Sequence, residues 1–140
     1  MKKWFALSTI VVLVLLAVTS CTININGGFA TVSGTITIVG KSASGASVTV
    51  QQGSNAYGTS VILTIGGTQT GTFSISNVPF GTYAVYVDFH SASGAYSTAS
   101  YLINGIGPSL LTIGGTPPNW TETIAAVSVQ ADTTIDTYLN

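Results

Sequence analysis

The sequence predicts an all-β protein: a single antiparallel β-sandwich of about seven strands over residues 29–140, behind an N-terminal signal peptide. Three observations predict it. After residue 28, apolar side chains recur at every second position, as in Tyr83, Val85, Val87 and Phe89, the period of a strand with one buried face. Clusters of Gly, Ser, Asn and Pro break this alternation at short intervals, as turns do. No segment of the same region repeats with the period of a helix.

The first element is an address. Lys2 and Lys3 precede an apolar run from Trp4 to Val18, and small residues lead to Cys21. That run is shorter than the roughly 20 residues needed to span a bilayer, so 1–20 reads as an export signal and not as part of the fold. The bland alternatives are an ordinary signal peptide or a membrane anchor ending in a buried cysteine. Val18-Thr19-Ser20-Cys21 resembles the lipobox of bacterial lipoproteins. The resemblance implies that Cys21 becomes the first residue and carries fatty-acyl chains such as palmitate. Residues 21–28 then form the lipidated tether, and the membrane is a partner through that lipid. Two or three chains, at about 0.8 kcal/mol per buried methylene, hold a protein where one chain is marginal. Thr22 stands where an Asp resembles an inner-membrane retention signal, which favours the outer membrane if the host has one.

The strands follow in order. Val32, Gly34, Ile36 and Ile38 share one face of the first, and Ala46, Val48 and Val50 one face of the second. Val61, Leu63 and Ile65 suggest a third, Phe73 and Ile75 a fourth, and Tyr83 to His90 is the clearest. Later rows are Tyr96 to Ile103, Ile124 to Val129 and Thr134 to Leu139. Pro79 and Gly81 flank Phe80 in a tight turn whose ring caps one end of the core, and Gly34 marks a bulge or a close backbone approach. An internal echo links Ser42-Ala43-Ser44-Gly45-Ala46 to Ser91-Ala92-Ser93-Gly94-Ala95, and Leu63 to Thr68 to Leu111 to Thr116. Duplication of a strand-loop-strand half and chance matching in a Ser-, Thr-, Gly- and Ala-rich chain both account for it.

Several of these runs resemble a carboxypeptidase regulatory-like domain. They are Val32-Ser33-Gly34-Thr35-Ile36, Gly45-Ala46-Ser47-Val48, Gly71-Thr72-Phe73 and Gly81-Thr82-Tyr83. The resemblance implies a transthyretin-like, immunoglobulin-like sandwich and an accessory, structural or binding role. Residues 54–70 depart from the family's pattern, where Val61 to Ile65 suggests an extra edge strand.

Composition narrows the function. The chain has 3 Lys and Arg against 4 Asp and Glu, and beyond the signal the only basic side chain is Lys41, which excludes the phosphate-neutralising stripe of a nucleic-acid binder. With Cys21 assigned to lipid, no intramolecular disulfide forms, so core burial supplies the stability. Asp88 and His90 lie two apart on one strand face, but no Gly-x-Ser-x-Gly elbow accompanies them, and they read as a solvent-facing pair. Asp88, His90, Glu122, Asp132 and Asp136 are too scattered for a metal site. Lys41 reads as a solvated loop lysine rather than one end of an isopeptide bond.

No catalytic, cofactor-binding or metal-binding residue is therefore expected, and the protein reads as a non-enzymatic structural or interaction module of the cell envelope, with an envelope protein or a glycan as possible partner. The alternatives are a carbohydrate- or other ligand-binding module using Trp120 with Tyr57, Tyr86, Tyr96 and Tyr101, and an adhesin or fibre subunit that assembles by strand addition.

Overall fold

The computed structural model describes residues 27–40, 42–91, 96 and 98–140. The expected signal peptide 1–20, Cys21, tether residues 22–26 and Lys41 lie outside the described residues, as does much of the second Ser-Ala-Ser-Gly-Ala run.

Ten strands form where the sequence suggests about seven: β1 (Phe29–Val39), β2 (Gly45–Gln52), β3 (Asn55–Val61), β4 (Thr68–Pro79), β5 (Gly81–His90), β6 (Ala99–Ile103), β7 (Ile106–Leu110), β8 (Thr112–Thr116), β9 (Asn119–Val129) and β10 (Thr133–Leu139). They make two five-stranded sheets. Sheet A runs β4-β1-β10-β6-β7 and sheet B runs β3-β2-β5-β9-β8. One pairing departs from the expected antiparallel arrangement: β1 and β10 run parallel.

Alternation decides which side chains go inward. Val32, Ile36 and Ile38 of β1, Val48 and Val50 of β2, Tyr83, Val85, Val87 and Phe89 of β5, and Ile135 and Leu139 of β10 are all buried in one core, while their sequence neighbours face out. Full burial of each such aliphatic side chain is worth about 1.5–3 kcal/mol, which in this charge-poor chain is the main source of stability. The proximal end, where β1 begins, is closed by local aromatics. The Tyr83 hydroxyl donates to the Pro79 carbonyl at 2.7 Å, its ring meets Tyr57 edge-on at 6.3 Å, and the Phe80 N–H donates to the Gly28 carbonyl at 2.9 Å. At the distal end the buried Gln69 amide ties two connections together. It accepts from the Ala43 N–H at 2.6 Å and donates to the Ala43 and Thr64 carbonyls at 3.1 and 3.0 Å.

The third strand lies earlier than expected. It covers Asn55–Val61, whereas Ile62 and Ile65 stand exposed in the connection to β4. Ala56, Gly58 and Ser60 on its outward row give little hydrophobic contrast, and as an edge strand it has one partner, β2. β7 and β8 were likewise hidden. β7 has no buried residue, and the Gly-Gly of β8 reads as loop.

The echo has a structural counterpart. β1 pairs β4 and β2 pairs β3 in the first half; β5 pairs β9 and β6 pairs β7 in the second. Each long ladder shifts register once, near Asn77 in β4 and Ala126 in β9, two non-glycine residues at φ 59° spaced as Ser42 is from Ser91. The repeated Leu-Thr-Ile-Gly-Gly-Thr occupies matching corners between the sheets. The second copy is β8, paired to β9; the first makes only one comparable rung, with the Thr64 N–H donating to the Thr70 carbonyl at 2.9 Å.

Gly34 is a close approach between strands. A Cβ placed there would lie 1.7 Å from the Ile135 carbonyl oxygen of β10, a backbone atom that no rotamer change can move. Gly45 opens β2 with nothing within 4 Å of the same position. Gly34→Ala is expected to destabilise the protein by about 3 kcal/mol or more, and Gly45→Ala to stay within about 1 kcal/mol of the parent, as read by chemical denaturation. Equal midpoints for the two variants would contradict the β1–β10 register.

Candidate functional site

The outward face of sheet B carries the chemistry. Its strands align side chains in rungs: Ser60, Ser47, Asp88, Thr121 and Gly114 form one, and Gly45, His90, Asn119 and Thr116 the next toward the distal end. Ser47, Asp88 and Thr121 of the first rung and Gly45, His90 and Asn119 of the second line a shallow depression of about 440 Å³, to which the half-buried Trp120 contributes from the neighbouring row.

Both ionisable groups in it have local partners. The Thr121 hydroxyl donates to Asp88 Oδ1, and His90 Nδ1 lies 3.0 Å from Asn119 Oδ1. An amide oxygen only accepts, so His90 Nδ1 is the protonated nitrogen in this contact. Asp88 and His90 therefore share a face, as the sequence indicates, yet each bonds to β9 and not to the other. Asp88 is half-buried and His90 exposed. The pairing is one of hydrogen-bond presentation: it orients polar groups on a fixed sheet without joining a nucleophile to a base.

The aromatic residues considered as a platform are mostly committed elsewhere. Trp120 donates from Nε1 to the Ser91 carbonyl at 3.3 Å and meets Tyr96 edge-on at 5.7 Å, and Tyr96 in turn meets Phe89 at 5.0 Å. Tyr57 and Tyr101 pack against the core. Tyr86 alone of the group stands on the outward row of sheet B, on the rung beside Asp88 with Thr49 and Thr123.

The remaining carboxylates take different roles. Asp132 Oδ1, one residue before β10, accepts from the Thr31 N–H at 2.8 Å and Asp136 Oδ1, within β10, from the Thr35 N–H at 2.9 Å, so both tie this end of the chain to β1. Glu122 is the residue that the sequence reading missed. It is fully buried, and neither carboxyl oxygen has a hydrogen-bond partner. Its inward position was legible in the parity of Trp120, Glu122 and Ile124, but only if β9 was extended upstream of Ile124. Its rung neighbours are Val87 and Ile113, so the charged form has no compensation. Burial pushes its pKa up to about 8. No three His, Cys, Asp or Glu side chains among the described residues come together as a metal-binding group.

No family model matches the chain, and no curated protein or solved structure matches it.

Glu122 makes stability fall with pH. Between its ordinary value of 4.5 and about 8, the unfolded chain releases this proton while the folded protein keeps it. The unfolded state thus binds fewer protons, and stability declines by a few kcal/mol, on the order of 1.4 per unit, until both states are ionised above about pH 8. Denaturation midpoints measured from pH 5 to 9 should show this decline in the parent and a nearly flat profile in Glu122→Gln. A flat parent profile would place Glu122 in contact with solvent.

Proposed function

We propose that the protein is a membrane-anchored lipoprotein of the cell envelope whose β-body acts as a non-enzymatic interaction module. The observation that carries this reading is where the body starts. β1 opens at Phe29 on the proximal end, beside Pro79 and Phe80. Seven residues, 22–28, separate it from Cys21. At up to about 3.5 Å per residue, they hold that end within roughly 25 Å of a lipid on Cys21. The distal end, with the depression at Gly45, His90 and Asn119, then points away from the bilayer. Lipid attachment and an outward-facing polar surface together suit a module that meets a partner in the envelope or beyond it.

The runs that resemble a carboxypeptidase regulatory-like domain fall within β1, β2, β4 and β5, which supports kinship with transthyretin-like sandwiches. The non-enzymatic part of the proposal draws on the separate engagement of Asp88 and His90.

A second reading, assembly by strand addition, draws on β7. This edge strand of sheet A is exposed along its whole length, with Ile106 and Leu110 at 79% and 89% exposure and no charged side chain to repel another strand, though Pro108 at its centre removes one N–H.

Cys21→Ser should abolish incorporation of labelled fatty acid and release the protein from the membrane fraction. Unchanged labelling and fractionation would overturn the lipoprotein reading. For the second reading, sedimentation of the parent over a hundredfold concentration range should show assembly that Leu110→Lys suppresses. A monomer throughout would leave the interaction module as the sole function.

A further inference from the structure

We propose that the distal depression on sheet B is a binding site for a neutral, hydroxyl-rich glycan chain, held by Asp88, Asn119 and His90 and flanked by Tyr86. The proposal rests on the interaction-module reading and names its ligand.

The free hydrogen-bonding capacity of the site fits adjacent sugar hydroxyls. Asp88 commits Oδ1 to the Thr121 hydroxyl, which leaves Oδ2 to accept from a ligand. Asn119 commits its oxygen to His90 Nδ1, so its amide nitrogen is left to donate. The exposed imidazole, with Nδ1 engaged by Asn119, keeps Nε2 as a further hydrogen-bonding atom for the ligand. A pair of neighbouring hydroxyls, each both donor and acceptor, satisfies this set; an apolar ligand would leave every one of these groups unpaired.

Shape and charge argue against apolar small molecules and anions. The depression is shallow and open, unlike the enclosing pocket of an apolar small molecule. Phosphate, sulfate and uronate need a cation, and no described residue is Lys or Arg, while Asp88 repels anions. Gly45 leaves open space above the backbone of its rung, so a chain can lie close to the sheet. Along β5 the outward row Tyr86, Asp88, His90 extends over about 13 Å. Ser47, Thr49 and Thr123 continue the hydroxyl surface beside it, and the Tyr86 ring offers an aromatic surface for the C–H face of a sugar. The row suits a linear chain of several sugars better than one residue.

The test uses the full-length protein, extracted in detergent and passed over cellulose, chitin, an insoluble β-1,3-glucan and an immobilised α-mannan, with alginate as the acidic comparison. Retention by at least one neutral polysaccharide is expected, weakened tenfold or more by Asp88→Ala and by Asn119→Ala, and unchanged by Thr72→Ala on sheet A. Thermal unfolding of each variant separates lost binding from lost structure; if Asp88→Ala fails to fold, Asn119→Ala decides. Retention by none of the neutral polymers, by alginate alone, or equally by the parent and Asn119→Ala overturns the proposal. Cys21→Ser changes the membrane address but not retention, so failure of the address and failure of the glycan site are read separately.

Discussion

The parallel pairing of β1 with β10 is the constraint on which sheet A depends. The first half of the chain supplies β4 and β1 to this sheet and the second supplies β6 and β7, and these pairs meet only through β10. Without it they would be separate two-stranded ribbons, which are marginal in water. Three local features hold the join: Gly34 admits the Ile135 carbonyl, and Asp132 and Asp136 take the N–H groups of Thr31 and Thr35. The paired residues stand about as far apart in sequence as this chain permits, Val32 opposite Thr133 and Ile38 opposite Leu139. Closing so long a loop is slow, so an emerging chain keeps one edge of β1 uncovered until its final strand is available.

Legibility in the sequence followed burial. Central strands with two partners and one buried face, such as Tyr83 to His90 in β5, announced themselves through strict alternation, and their inward rows stand as read. The edge strands were faint because less of each is buried. In β3 the outward row is Ala56, Gly58 and Ser60, and β8 is paired despite Gly114 and Gly115, its conformation supported by β9 alone. The parallel strand pair could not be read at all, since alternation gives a strand's inward face but not its direction or its neighbour. The site shows the same limit. Asp88 and His90 were visible as one face of β5, but the pairing with Thr121 and Asn119 depends on which strand lies alongside and in what register.

The four carboxylates of the body show what a nearly uncharged chain does with charge. Asp132 and Asp136 each accept a backbone N–H, and Asp88 a hydroxyl proton, so none of the three relies on a cation. Glu122 has no such donor and is held in its neutral form by its surroundings at mildly acidic pH. Replacing a residue of this kind by an apolar one of similar size often stabilises a fold. Its retention in an inward row of β9 is a local conflict with the core's otherwise apolar pattern.

The outward rows of both sheets are dominated by hydroxyl groups, from Ser33, Thr35, Thr37, Thr70 and Thr72 on sheet A to Ser47, Thr49, Thr121 and Thr123 on sheet B. Hydroxyls carry no net charge and do not titrate in the biological range, and dissolved ions screen only charges. A surface of this composition offers nearly the same face to its surroundings in fresh water and in brine. Contacts made through these hydroxyl rows are therefore indifferent to the ionic strength of the medium.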